Sequence, residues 1–124
     1  MDLQQLAAQI RDWGRELGFQ QLGIAGTTLT DAERRLDDWV ARGLHGELGY
    51  MTRHGHKRTR PADLLPGTAR IISARMDYLP AGAAPAYAVL ADSERAYIAR
   101  YALGRDYHKL LRRRLRRLAE RISA

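Results

Sequence analysis

The residues with the most varied chemistry in this sequence lie in one run, Ala99–Lys109, which reads Ala-Arg-Tyr-Ala-Leu-Gly-Arg-Asp-Tyr-His-Lys. The run stands just ahead of a segment with helical periodicity. Unpaired amide hydrogens at the start of a helix attract anionic groups, so the run is a candidate ligand-binding loop. A purely structural interpretation is equally open, with Asp106 as an N-cap, Tyr107 as a packing residue and His108 on the surface.

A second candidate is the basic C-terminal segment, which overlaps the end of this run. The chain has 124 residues and a formal net charge of +7, and nearly all of that excess lies between Arg105 and Ala124. Guanidinium groups present forked donor pairs that suit phosphate oxygens, so the segment predicts contacts with nucleic acid. The alternative is an ordinary solvated helix face. The arginines that lie off the leucine stripe of this segment are Arg112, Arg113, Arg116 and Arg117.

Several other chemistries are excluded or disfavoured by composition. The sequence contains no cysteine, which excludes disulfides, zinc ribbons, a cysteine nucleophile and cysteine-held iron–sulfur clusters. His45, His54 and His56 lie close together in the chain but match no zinc spacing, so we expect solvated histidines and no metal site. Neither a G-x-G-x-x-G nor a G-K-[ST] nucleotide motif is present.

The elements that must position these residues can be read from periodicity. Apolar spacing predicts helices over 2–17, 30–42 and from 106 onward, and β-favouring runs predict strands over 19–25 and 70–78. Gly18 ends the first helix, and Thr30 with Glu33 has capping-box spacing. Residues 86–90 and 96–101 fit either strand or turn. We therefore predict a single small domain of α/β (α+β) class, with a helix–strand–helix opening, a short central sheet and a long basic C-terminal helix.

The expected cellular compartment follows from two kinds of segment that are not found in the sequence. No apolar run approaches the ~20 residues of a membrane helix, and the start does not resemble a signal peptide. We expect a soluble cytoplasmic protein without a membrane partner.

Four motifs, in order, resemble the epoxyqueuosine reductase family across nearly the whole chain. They are Leu17–Ala25, then Gly43-Leu44-His45-Gly46 with Tyr50-Met51, then Lys57-Arg58 with Pro61 and Leu64–Gly67, and finally Arg100–Lys109. The run Ile71-Ile72 followed by Met76-Asp77-Tyr78 also has its expected place.

The resemblance implies a detailed function. Members of this family reduce epoxyqueuosine to queuosine at the wobble position of tRNA, using a cobalamin and two [4Fe–4S] clusters. Their N-terminal region forms much of the cobalamin pocket, so residues 1–124 are expected to be that pocket domain. By motif, Arg58 and Ala99 match cobalamin-contacting positions, and Arg100, Tyr107 and His108 are expected pocket neighbours. The basic helix would then contact tRNA.

The sequence departs from the family in what it lacks. The family's proton-donor Asp, in a Val-Asp-(Thr/Ser) strand, and the cysteines of a C-terminal ferredoxin-like domain would follow Ala124, and neither Asp77 nor Asp106 matches that motif. We therefore expect a fragment with no catalytic residue of its own, which contributes cofactor and tRNA contacts without turnover. The alternatives are a stand-alone RNA-binding or cobalamin-binding module without redox activity, and a severed last helix whose leucines drive self-association.

Overall fold

A computed structural model describes residues 2–124 of the chain. Within them the helices are α1 (Leu3–Glu16), α2 (Thr30–Ala41), α3 (Pro61–Leu64), α4 (Ala86–Leu90) and α5 (Tyr107–Ser123), and the strands are β1 (Gln21–Ala25) and β2 (Ile71–Arg75). The strands pair antiparallel in a two-stranded sheet. The expected α+β class with a long C-terminal helix is confirmed.

Local signals account for both ends of α1 and for the start of α5. Asp2 precedes α1, and its backbone N–H donates to Gln5 Oε1 at 3.3 Å. Gly18 follows α1 with a φ of +86°, a conformation that glycine adopts at little cost. Asp106 caps α5, because its carboxylate accepts from the backbone N–H of His108 at 2.9 Å. These ends were predicted because the partners lie within a few residues of each other in the chain.

Two local predictions were wrong, and a third was resolved between its alternatives. Leu29 takes the N-cap position of α2, with no side-chain cap, and Thr30 is already helical. Residues 86–90 form the helix α4 instead of a strand or turn. For residues 96–101, where strand and turn were both open, the structure has no strand and a 3₁₀ turn begins at Arg100. Short apolar runs do not distinguish helix from strand by periodicity, so packing decided these segments.

The chain divides into two compact units. The first comprises the chain up to Leu22 together with Ala74–Ala124, and the second is Gly23–Ser73. In the first unit α5 packs on α1, and Glu16 and Arg121 form an ion pair at 2.5 Å between these helices. The buried apolar residues of this unit are Ile10, Phe19, Leu22 and Leu118.

In the second unit, a buried threonine hydroxyl and a neighbouring arginine bind one carboxylate of α2. Thr59 is buried, and its hydroxyl donates to Glu33 Oε2 at 2.7 Å. Arg60 donates through Nε and Nη2 to both oxygens of Glu33, at 2.9 and 2.7 Å. Glu33 therefore holds the 59–60 segment against α2 instead of closing a capping box, since a forked guanidinium pair is stronger than a neutral cap.

Among residues 2–124, no helix combines the length and apolar character needed to cross a bilayer.

Candidate functional site

The largest cavity described in the first unit has a volume of about 520 Å³ and combines aromatic rings with cationic groups. We call it the tyrosine–arginine cavity. Ligand sites commonly have this size and combine apolar surface with a few polar groups. Its aromatic and cationic lining residues are Tyr78, Tyr101, Tyr107, Arg100, Arg105 and Arg114.

The segment before α5 supplies one wall of this cavity. Ala99 lies at the N-cap of the 3₁₀ turn Arg100–Ala102. Arg100 is half-buried, and its Nη2 donates to the carbonyl of Ala84 at 2.7 Å. The rings of Tyr101 and Tyr107 meet edge to face at 5.9 Å between centroids. The Arg100 guanidinium is thus held in place in a lining that also contains this pair of aromatic rings.

Arg114 from α5 and the turn between α1 and β1 form another part of the lining. Arg114 Nη1 donates to the carbonyl of Gly18 at 3.0 Å, and it lies 2.9 Å from Met76 Sδ. Gln20 Oε1 accepts the backbone N–H of Asp77 at 2.7 Å. A side chain on Gly18 would place its Cβ 2.7 Å from Arg114 Nη1, so glycine is required for this approach as well as for its φ.

His108 is not among the residues that line the tyrosine–arginine cavity; it belongs to the cap of α5. Its ring stacks on Tyr107 with 4.0 Å between centroids, and its Nδ1 lies 3.0 Å from Asp106 Oδ1. The backbone N–H of His108, followed by its side chain, lowers the pKa of Asp106 below the ordinary value. Asp106 is therefore a carboxylate at neutral pH.

The arginines of α5 divide into two groups. Arg114 is half-buried and bonded within the fold, as described above. The arginines that the sequence proposed for nucleic acid are exposed, and among residues 2–124 none of them forms an ion pair with a carboxylate. They are free to meet an external anion. They are Arg112, Arg113, Arg116 and Arg117.

Arg58 lies in the second unit, in the 3₁₀ turn Gly55–Arg58. Its Nη2 donates to the carbonyl of Tyr50 at 2.8 Å, and its guanidinium carbon lies 5.5 Å from the centroid of the Tyr50 ring. The side chain is exposed. The turn and the tyrosine therefore fix the position of this guanidinium while leaving it open to a ligand.

The three clustered histidines have different surroundings. His45 packs its ring against Trp39 at 5.8 Å, and its buried Nδ1 has no hydrogen-bond partner within the described residues. His56 Nε2 lies 3.3 Å from Asp37 Oδ2, and in the described part of the chain the one group of possible metal ligands is Glu33, Asp37 and His56.

That group is better explained by ion pairing than by a metal. The side-chain hydrogen bond from Arg60, together with that from Thr59, lowers the pKa of Glu33 to about 2. Both oxygens of Glu33 are already occupied by these donors. A metal ion would have to displace a bidentate guanidinium, which disfavours binding.

The family resemblance predicted Arg100 and Tyr107 as pocket neighbours, and both line the cavity. Tyr101 and Arg105 lie in the candidate run but were not singled out, and Tyr78 and Arg114 were not candidates at all. Tyr78 lies three residues after the end of β2 and Arg114 in the middle of α5, so no local spacing connects them. The tyrosine at 101 could have been noticed from its position six residues before Tyr107 in the same candidate run.

The fold and the cavity define a small α+β domain whose aromatic and cationic lining suits a ligand with flat and hydrogen-bonding surfaces. Comparison with known families identifies the family to which this domain belongs. The family described as Epoxyqueuosine reductase QueG, DUF1730, matches residues 58–124, more than half of the chain. The chain belongs to the epoxyqueuosine reductase family.

Curated relatives extend the similarity to nearly every residue. The chain is 59% identical over 123 residues to an epoxyqueuosine reductase of Pseudomonas aeruginosa and 56% identical over 123 residues to one of Escherichia coli. Each alignment covers 99% of this chain, and 34% and 32% of the respective relative. The chain thus spans about a third of the length of the curated relatives it matches. No solved structure matches it.

Proposed function

We propose that this chain provides the cobalamin-binding part of an epoxyqueuosine reductase, which reduces epoxyqueuosine to queuosine in tRNA in the cytoplasm. The observation that carries the proposal is the tyrosine–arginine cavity, whose residues lie mostly in the segment that matches the family. Arg100 and Tyr107, expected beside a cofactor from the family resemblance, both line it.

The donor set fits the proposed cofactor. The rim of a corrin carries amide groups that both donate and accept hydrogen bonds. The cavity offers guanidinium and phenol donors, and the Asp77 carboxylate as an acceptor. Tyr101 and Tyr107 add aromatic surface for a flat macrocycle. Arg58 and Ala99 are proposed as further contacts, and His108 as the residue that orients Tyr107.

The chemistry divides between the cofactor and this chain. Removing an epoxide oxygen to leave an alkene consumes two electrons and two protons and releases water. When bound, cobalamin would supply the electron transfer, because this chain has no thiol that could act as a reductant. This chain has no cysteine to hold a cluster, so we propose that the [4Fe–4S] clusters belong to a ferredoxin-like domain outside residues 1–124.

The residues of this chain bind and orient, and we assign none of them as the proton donor. Asp106 is unsuited to that role because its lowered pKa keeps it ionised at neutral pH. The exposed arginines of α5 are proposed to contact tRNA phosphates, since each can present two parallel donors to one phosphate group.

A cobalamin titration tests this proposal. The purified 124-residue chain is mixed with cobalamin, and binding is followed by the visible spectrum and by calorimetry. We expect saturable binding that is weakened by Arg58→Ala and by Tyr107→Ala. The matched controls are Arg53→Ala in the same unit as Arg58 and Tyr87→Ala in the same unit as Tyr107, both exposed. An unchanged spectrum at saturating protein would contradict a cofactor pocket within this chain.

A binding module without redox activity is the second candidate. The exposed, unpaired arginines of α5 and the absence of cysteine favour it. RNA binding without any cobalamin binding would support this second function over the first.

A further inference from the structure

A second cavity, of about 480 Å³, lies along the start of α5 and is lined by charged side chains. Arg105, Lys109 and Arg113 provide three positive charges, and Leu110 and Asp106 complete the lining. We call this cavity the basic groove. Of its three cations, only Arg113 belongs to the set that the sequence assigned to nucleic acid.

The cations of the basic groove are available to an external ligand. All three side chains are exposed, and within residues 2–124 none of them pairs with a carboxylate. The single acid of the groove, Asp106, is already bonded to the backbone and ring of His108. An unpaired positive groove therefore remains beside a satisfied carboxylate.

The spacing of the cations favours a chain of anions over a single one. Lys109 and Arg113 are four residues apart on α5, which places them on one face about 6 Å apart along the helix axis. Arg105 precedes the helix and lines the same groove. A row of cations at intervals of one turn can contact successive phosphates of a polynucleotide strand.

The basic groove adjoins the tyrosine–arginine cavity, because Arg105 and Leu110 line both. A strand bound in the groove would therefore pass beside the proposed cofactor site. We infer that the basic groove binds consecutive phosphates of the substrate RNA and positions its strand next to that site. This inference rests on the proposed function and assigns Arg105 and Lys109 a role in RNA binding.

Charge-matched double variants test the inference. The groove variant is Arg105→Gln with Lys109→Gln, the helix-face variant is Arg112→Gln with Arg116→Gln, and the control is Arg35→Gln with Arg53→Gln in the second unit. Each removes two positive charges. Affinity for a fluorescent tRNA transcript is measured by anisotropy across a salt series, and circular dichroism verifies that each variant is folded.

We expect the groove variant to bind tRNA about tenfold more weakly, with a salt slope reduced by about 1.4 for two lost contacts to a single strand. In the control variant, the affinity for tRNA and the salt slope should both change much less. An equal effect of the groove and control variants would overturn the inference, since only net charge would then matter.

Two further outcomes separate this inference from the proposed function. If the unsubstituted chain binds cobalamin but not tRNA, the groove assignment fails while the cofactor proposal stands. If the groove variant loses heparin binding to the same degree and the chain shows no preference for tRNA over heparin, the groove is a general polyanion surface and the RNA assignment is wrong.

Discussion

The packing of α5 on α1 can be tested with two leucines of the same helix. Leu118 is 3% exposed, whereas Leu115 is 42% exposed. Replacing each with alanine removes the same atoms and changes helix propensity equally, so the difference between the variants reports burial alone. We expect Leu118→Ala to be much more destabilising than Leu115→Ala.

The magnitude follows from the exposure of the two side chains. Leucine-to-alanine removes the equivalent of about three methylene groups, each worth about 0.8 kcal/mol when buried. At Leu118 the vacated space adds a cavity term of about 24 cal/mol per Å³ that does not collapse, so the loss should reach about 3–4 kcal/mol. At Leu115 the methylenes are partly solvated and leave no enclosed cavity, so we expect about 1 kcal/mol.

Urea denaturation followed by circular dichroism measures both losses. In thermal unfolding, the same free energies correspond to a Tm lowered by about 10–15 °C for Leu118→Ala and about 4 °C for Leu115→Ala. Equal losses for the two variants would refute the reasoning, because they would mean that α5 does not bury its Leu118 face against the rest of the first unit in solution.

Three other predictions concern single positions. Gly14→Ala should destabilise the chain by about 1–2 kcal/mol in urea denaturation, because its Cβ would lie 2.8 Å from Leu22 Cδ2 and overpacking outweighs the gain in helix propensity. Glu33 stabilises the fold above its unfolded-state pKa of 4.5, and this contribution should disappear as pH falls from 4.5 towards 2; the stability difference from Glu33→Gln, measured by urea midpoints, should shrink across that window. Asp106→Ala should cost about 1 kcal/mol in urea denaturation through loss of the cap of α5.

Each of these predictions has a contradicting result. A more stable Gly14→Ala variant would show that Leu22 can move aside at no cost. A constant difference between the parent chain and Glu33→Gln from pH 5 to pH 2 would mean that the Arg60 pair does not favour the ionised carboxylate. The exposed Asp12→Ala variant serves as the control for Asp106→Ala. An unchanged urea midpoint for Asp106→Ala would mean that the Asp106 cap does not stabilise α5.

Much of the fold was predictable because its signals are local. The apolar spacing of α1 and α5, the turn at Gly18 and the cap at Asp106 each depend on residues within about four positions of one another. The concentration of charge on the last helix could likewise be counted directly. The family was also recognisable, since its motifs are short runs whose order survives in the sequence.

Hydrogen-bond partners that lie far apart in the sequence could not be predicted. Glu33 has the spacing of a capping box, yet it binds Thr59 and Arg60, which lie 26 and 27 residues away. Arg114 is one of a run of arginines, yet it turns inward to Gly18, 96 residues distant. Nothing in the neighbouring residues distinguishes these side chains from their exposed counterparts.

The sequence by itself therefore determined the three long helices, the ends at Gly18 and Asp106, the class of the fold, the family and the charge of α5, all of which follow from the order and local spacing of residue types. Only the tertiary structure decided which arginines are free and which are bonded within the fold. It also brought Tyr78, Arg105 and Arg114 to one cavity. The physical reason is that hydrogen bonds and burial depend on which surfaces meet when the helices pack, and local periodicity carries no information about that meeting.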